Sequence, residues 1–138
     1  MALRQIIFRG KRLDNGEWVY GDLLTKDKNG NYCPRIKNSE SYPFSFQVDP
    51  TTVGQFTGLY DKNGNKIFEG DIIKVLLFDH TERANFHTIV VKWDEKYSEF
   101  VCEDVNDKTC EWELGVLLAD ESLIIIGNKW DNSELLKE

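Results

Sequence analysis

The sequence predicts a mostly β fold from three observations: Asn-Gly pairs at three hairpin-like positions, apolar residues alternating with polar ones between them, and a single good helix-start signal near the C-terminus. Asn-Gly prefers the positive φ that two-residue hairpins require, so Asn15-Gly16, Asn29-Gly30 and Asn63-Gly64 predict three hairpins. The first joins strands over residues 5–13 and 18–24, the second joins 22–25 to 31–36, and the third joins 54–59 to 66–69. Residues 71–78 are apolar on both faces apart from Lys74, which is the pattern of a buried strand. Residues 88–93 set Ile89, Val91 and Trp93 on one face, and 99–104 set Phe100 and Cys102 together. Strands at 111–118 and 123–126 complete the series. Asn132 is placed to cap a short terminal helix over 133–137, with Leu135 and Leu136 turned inward.

Strands recurring at this spacing predict antiparallel hairpins leading into a small SH3-like barrel within one domain of 1–138, with sub-lobes 1–53 (a hairpin layer) and 54–138 (the barrel). The stretch 37–52, with Pro43 and Pro50, is the loop or lobe boundary. Its alternating Tyr42, Phe44 and Phe46 predict that part of it pairs with a strand. Gly54, Gly58, Gly64 and Gly70 fall where turns or bulges exclude a side chain, and Asp71 can accept backbone amides at the start of a buried strand.

At 138 residues the chain can bury a core without a disulfide or a metal. It has no run of about 18 apolar residues and its N-terminus lacks a secretion signal, which predicts a cytoplasmic protein without membrane contact. Cys33, Cys102 and Cys110 form no C-x-x-C pair and have no histidines at zinc-ligand spacing, so reduced thiols are expected. A three-residue loop at 106–108 would set Cys102 opposite Trp112 and Cys110 opposite Asp104. A two-residue loop would point the two thiols to opposite faces, and neither register joins them.

Charge is polarised. Residues 1–93 hold 13 Lys and Arg against 11 Asp and Glu, whereas residues 94–121 hold 2 against 10. Arg4, Arg9, Lys11 and Arg12 are unopposed until Asp14. Such a layout steers a partner or favours head-to-tail self-association.

Motifs for chemistry are scarce. Asp-Lys-Asn-Gly-Asn occurs at 27–31 and again at 61–65, but an EF-hand needs glycine sixth and glutamate twelfth, and the twelfth positions here are Asn38 and Ile72. Two turns of one kind explain the repeat. Residues 79–87 hold both histidines, His80 and His87, with Asp79 and Glu82 around the first, and read as an exposed connection rather than three converging ligands. There is no nucleophile elbow and no phosphate loop. The expectation is a protein that is not an enzyme and has no metal and no cofactor.

Blocks along the chain carry a resemblance. They are Ile7 to Arg12, Asn15 to Gly21, Val53 to Gly64, Ile67 to Val75, and Ile125 to Leu136 with its Gly127-Asn128-Lys129-Trp130-Asp131-Asn132 core. In this order they resemble the YopX family of phage and prophage proteins, for which no activity is established. The resemblance implies a phage or prophage protein in the bacterial cytoplasm and brings no catalytic residues. Stretches 26–52 and 78–87 depart from it, and Ser133 stands where family members often have proline. The run Gly70 to Val75 is also similar to the opening strand of SH3-like barrels.

The functional expectation is a non-enzymatic module that binds a host or phage protein or assembles with copies of itself. The alternative is nucleic-acid binding through Arg4, Arg9, Lys11 and Arg12, helped by nearby aromatics. Acidic mimicry of DNA by residues 94–121 would require the carboxylates to line one ridge.

Overall fold

A computed structural model describes residues 4–78, 83–117 and 122–137, in which all paired strands are antiparallel. The chain forms two compact units, Met1–Gly58 and Leu59–Glu138. The first contains β1 (Phe8–Lys11), β2 (Trp18–Lys26), β3 (Tyr32–Lys37), β4 (Phe46–Gln47) and most of β5 (Gly54–Tyr60), in the order β4-β3-β2-β1-β5. Since β5 pairs with β1, the unit boundary follows Gly58.

Alternation along these strands sends Phe8, Val19, Leu23, Ile36, Phe46 and Val48 to one side, where they form the first core. Each fully buried aliphatic side chain contributes about 1.5–3 kcal/mol. Past the end of β1, Arg12 bridges to Val48, so β4 lies against β1 as well as β3.

In the second unit the chain leaves β5 through a turn at 61–65 into β6 (Lys66–Phe68). A five-stranded sheet follows, made of β7 (Asp71–Phe78), β8 (Ala84–Asp94), β9 (Glu99–Asp104), β10 (Glu111–Glu113) and β11 (Ile124–Asn128), in the order β10-β9-β8-β7-β11. Its core is Ile67, Ile73, Val75, Ile89, Val91, Cys102, Leu114, Leu117 and Leu123. Trp112 stands opposite Cys102 and the Asp104 amide donates to the Cys110 carbonyl, which is the three-residue-loop register. Asp71 accepts the Phe68 amide at 2.7 Å.

Four expectations are corrected. No closed SH3-like barrel forms among the described strands, because β5 joins β1 in the first sheet while β7 to β11 build the second. The Asn-Gly hairpins are not two-residue turns. Gly16, Gly30 and Gly64 hold φ of +73°, +84° and +82°, but the only described non-glycine residue at positive φ is Ser98. A type I′ turn needs both central residues positive, so with each Asn at negative φ the loops are longer and glycine alone supplies the left-handed step.

The strand expected over 111–118 stops at Glu113 and becomes a single helical turn, α1 (Leu114–Leu117). Three-residue spacing buries Leu114 and Leu117 together while Val116 stays 62% exposed, a combination that strand alternation cannot make. Lastly, the terminal helix is a 3-10 turn, Ser133–Leu136, without a side-chain cap: the Asn132 Oδ1 accepts the Asn128 amide at 3.1 Å instead.

Candidate interaction surface

In β1, alternation turns Arg9 and Lys11 away from the first core, and the register sets them opposite Tyr20 and Trp18. The Arg9 guanidinium lies 4.7 Å and the Lys11 ammonium 5.4 Å from the Trp18 ring centre, both within cation–π range. Arg9 is only 5% exposed. Arg12 lies at the end of the strand, where its Nε donates to Asp14 Oδ1 at 2.8 Å, a second guanidinium nitrogen donates to the other oxygen, and its plane covers Phe46 at 4.3 Å. That forked bond raises the Arg12 pKa and holds the Asp14 carboxyl below its ordinary value. Arg4 is exposed. The four basic residues singled out by the sequence therefore do not form one patch: two cover Trp18, one is paired, and one stands apart.

A different cationic site is present in the same unit. An open groove of about 750 Å³ is lined by Arg35, Lys37, Arg12, Leu13, Phe44 and Phe46, among others. Arg35 faces Leu24 across the β2–β3 register, and Lys37 is two positions further along the same face. The Arg35 Nε and terminal nitrogens donate to the Cys33 carbonyl (3.3 Å), the Ser45 hydroxyl (3.0 Å) and the Lys26 carbonyl. These acceptors are all neutral, so the guanidinium is held in place without a salt bridge among the described residues; its charge, after the Asn31 amide, is among the causes that lower the pKa of Asp27 in the turn beside it. The Lys37 ammonium lies 5.6 Å over Tyr42.

The turn after β3 shapes the rim. Asn38 Oδ1 accepts the amides of Glu40 and Ser41, and the Phe44 amide donates to the Ser41 carbonyl at 2.7 Å. This leaves Tyr42 74% and Phe44 77% exposed. Sequence reasoning singled out Arg12 but missed the site, because Arg35, Lys37 and Phe44 fall in the stretch 26–52 and reach Arg12 only through the fold. The one available signal was the aromatic alternation at Tyr42, Phe44 and Phe46.

In the second unit, direct cross-strand partners share a side of the sheet. The register therefore sets Asp94 with Glu99, Glu103 with Glu111, and Glu113 with Val101, all on the side away from Ile89 and Cys102. Lys92 holds Glu103 at 2.8 Å and Glu111 at 2.7 Å, and these bonds raise its pKa. Burial first, and then the charges of Glu113 and Asp94, raise the Glu99 pKa.

On the core side, His87 Nδ1 meets Asp104 Oδ2 at 2.7 Å, with the imidazole edge against Trp112 at 5.8 Å between ring centres. The other Asp104 oxygen accepts the Asn106 amide at 2.8 Å. Nothing in the sequence signalled this pair, since residues 87 and 104 meet only through the β8–β9 register. His80 lies outside the described residues. Replacing His87 with alanine removes one partner of a buried carboxylate and is expected to cost about 2 kcal/mol, read as a lower urea midpoint at unchanged slope.

Two of the thiols, Cys102 and Cys110, are held in the protonated form. Burial pushes Cys102 up to about 12, and the Asp107 carboxylate accepting from the Cys110 thiol at 3.3 Å raises that one as well. Among the described residues no group of three or more metal-ligating side chains converges, and no helix is long and apolar enough to cross a membrane.

Residues 7–137 match the family model described as YopX protein. Among solved structures, the chain is similar to protein EF1440 from Enterococcus faecalis, with a TM-score of 0.57 and 23% identity over 96% of this chain and 99% of that one. No curated protein matches.

Proposed function

Because the chain belongs to the YopX family, whose name carries no activity, we propose from its own geometry that it is a non-enzymatic binding module of phage or prophage origin, and that the groove of the first unit takes an acidic segment of a protein partner. One observation carries this reading: Arg35 is fixed by three neutral acceptors and forms no salt bridge among the described residues, next to Lys37 and a projecting Phe44. A guanidinium positioned in this way recognises carboxylates with little ordering cost, and an exposed aromatic supplies the apolar anchor that interface centres favour. The partner is a host or phage protein or a second copy of the chain.

A short polyglutamate peptide titrated into the full chain tests the groove. Binding should weaken as salt rises, and Lys37→Glu or Phe44→Ala should each reduce affinity about tenfold with unchanged circular dichroism, since neither side chain is buried in a core. Peptide affinity indifferent to both changes would reject the groove.

A second reading draws on the same exposed aromatics. Tyr42 and Phe44 next to Lys37 match the pattern of stacking platforms beside cations that bind single-stranded nucleic acid. On that reading Arg9 and Lys11 contribute little, because they already cover Trp18. An oligonucleotide retarded at low salt, in competition with the peptide, would favour it.

A further inference from the structure

We propose that the acidic segment taken by the groove is the β8–β9 hairpin tip of a second copy, so that chains associate head to tail; this rests on the groove being the binding site. The tip, residues 94–99, projects between two strands and carries Asp94, Glu95 and Glu99 against one cation, Lys96, whose ammonium lies 5.3 Å from the ring centre of Tyr97, itself 65% exposed at the end. Asp94 and Glu99 are direct cross-strand partners, a like-charge pairing that destabilises a sheet unless a cation joins it. Lys92, the cation of this face, is already committed to Glu103 and Glu111, and neither Asp94 nor Glu99 has an ion pair among the described residues. Crowding by Glu113 adds to the same repulsion.

The two surfaces are complementary. A knob with an aromatic end and three carboxylates against one lysine meets an open groove with a projecting aromatic and the cations Arg35 and Lys37. Residues 1–58 hold 8 Lys and Arg against 6 Asp and Glu, while residues 59–138 hold 9 against 18, so long-range attraction between unlike units of two copies favours this orientation over like against like. Tip and groove are different surfaces of one chain, so the contact is heterologous and each pair of copies keeps one free tip and one free groove. Ion pairs of this exposure contribute little each, and association should therefore be weak and salt-sensitive.

Heterologous contact makes a specific prediction. A groove variant, Lys37→Ala with Phe44→Ala, still offers its tip; a tip variant, Tyr97→Ala with Glu99→Gln, still offers its groove. By sedimentation equilibrium at low salt, the wild type should show a mass above the monomer that rises with concentration and falls with added salt. Each variant alone should remain monomeric, with self-association weakened about tenfold or more. An equimolar mixture of the two should form a one-to-one dimer that grows no further.

A wild type that stays monomeric while still binding polyglutamate would overturn the self-association and leave the groove standing. A wild type that neither associates nor binds the peptide would remove both. Variants that assemble alone as the wild type does would place any contact elsewhere and overturn the inference.

Discussion

Replacing Gly70 with alanine should destabilise the second unit by roughly 3 kcal/mol, far more than the same change at Gly64. The two glycines have nearly the same backbone, φ +87° and +82°, so an added methyl meets the same left-handed strain at each, about 1–2 kcal/mol. They differ in what the methyl would touch. At Gly64 nothing lies within 4 Å, whereas at Gly70 the new carbon would stand inside 3.0 Å of the Trp130 ring. The indole must move, and with it a clasp: the Gly70 amide donates to the Val91 carbonyl, and the Gly70 carbonyl accepts the Lys129 amide at 2.9 Å. Thermal unfolding should show Gly70→Ala melting about 10 °C below the wild type. In a double-mutant cycle, the cost of Gly70→Ala should fall toward that of Gly64→Ala once Trp130 is alanine. Equal losses at the two glycines would show that Trp130 does not bear on the site.

The repeated pentapeptide provides the second large effect, because one sequence serves two environments. At each turn the aspartate Oδ1 accepts the amides two and four residues on: Asn29 and Asn31 to Asp27, and Asn63 and Asn65 to Asp61. Only Asp61 uses its second oxygen on the wider fold, accepting the Ile125 amide at 3.1 Å, and it is 6% exposed. Asparagine can keep both turn bonds through its single oxygen but would turn an NH2 toward Ile125. Asp27→Asn should therefore change stability by under about 0.5 kcal/mol, and Asp61→Asn should cost about 3 kcal/mol. Urea unfolding of the matched pair decides this, and a costly Asp27→Asn would mean that the turn bonds themselves dominate.

The same carboxylate predicts an acid limb. Burial alone would raise the Asp61 pKa, but the amides of Asn65, Ile125 and Asn63 outweigh it and hold it below the ordinary value. A depressed folded pKa means that the unfolded chain binds the proton first. The stabilisation is complete above the unfolded carboxylate value of about 4 and is lost as pH falls through the lower folded one. Below about pH 4 the wild type should thus lose stability more steeply than Asp61→Asn.

These residues also show what was legible in the sequence. Alternation located β9 at its bounds, because side-chain direction in a strand depends only on near neighbours, but it left two loop lengths open after it, and the structure chose the one that sets Cys102 opposite Trp112. Gly70 and Trp130 were each recognisable as parts of conserved-looking blocks in the resemblance, but their contact was not, since it joins residues sixty positions apart in a closely packed clasp. The His87–Asp104 pair and the Arg35 groove were unreadable for the same reason. α1 escaped because a four-residue apolar run has no period long enough to separate a helical turn from a strand.

By itself, then, the chain determined most of the strand segments and where glycine must turn the backbone. Only the tertiary structure decided which sheet each strand joined, which aspartate of two identical turns became a buried acceptor, and which cation was held by neutral acceptors without a salt bridge. Periodicity acts within a few residues, whereas register, burial and charge compensation are set by segments that become neighbours only on folding.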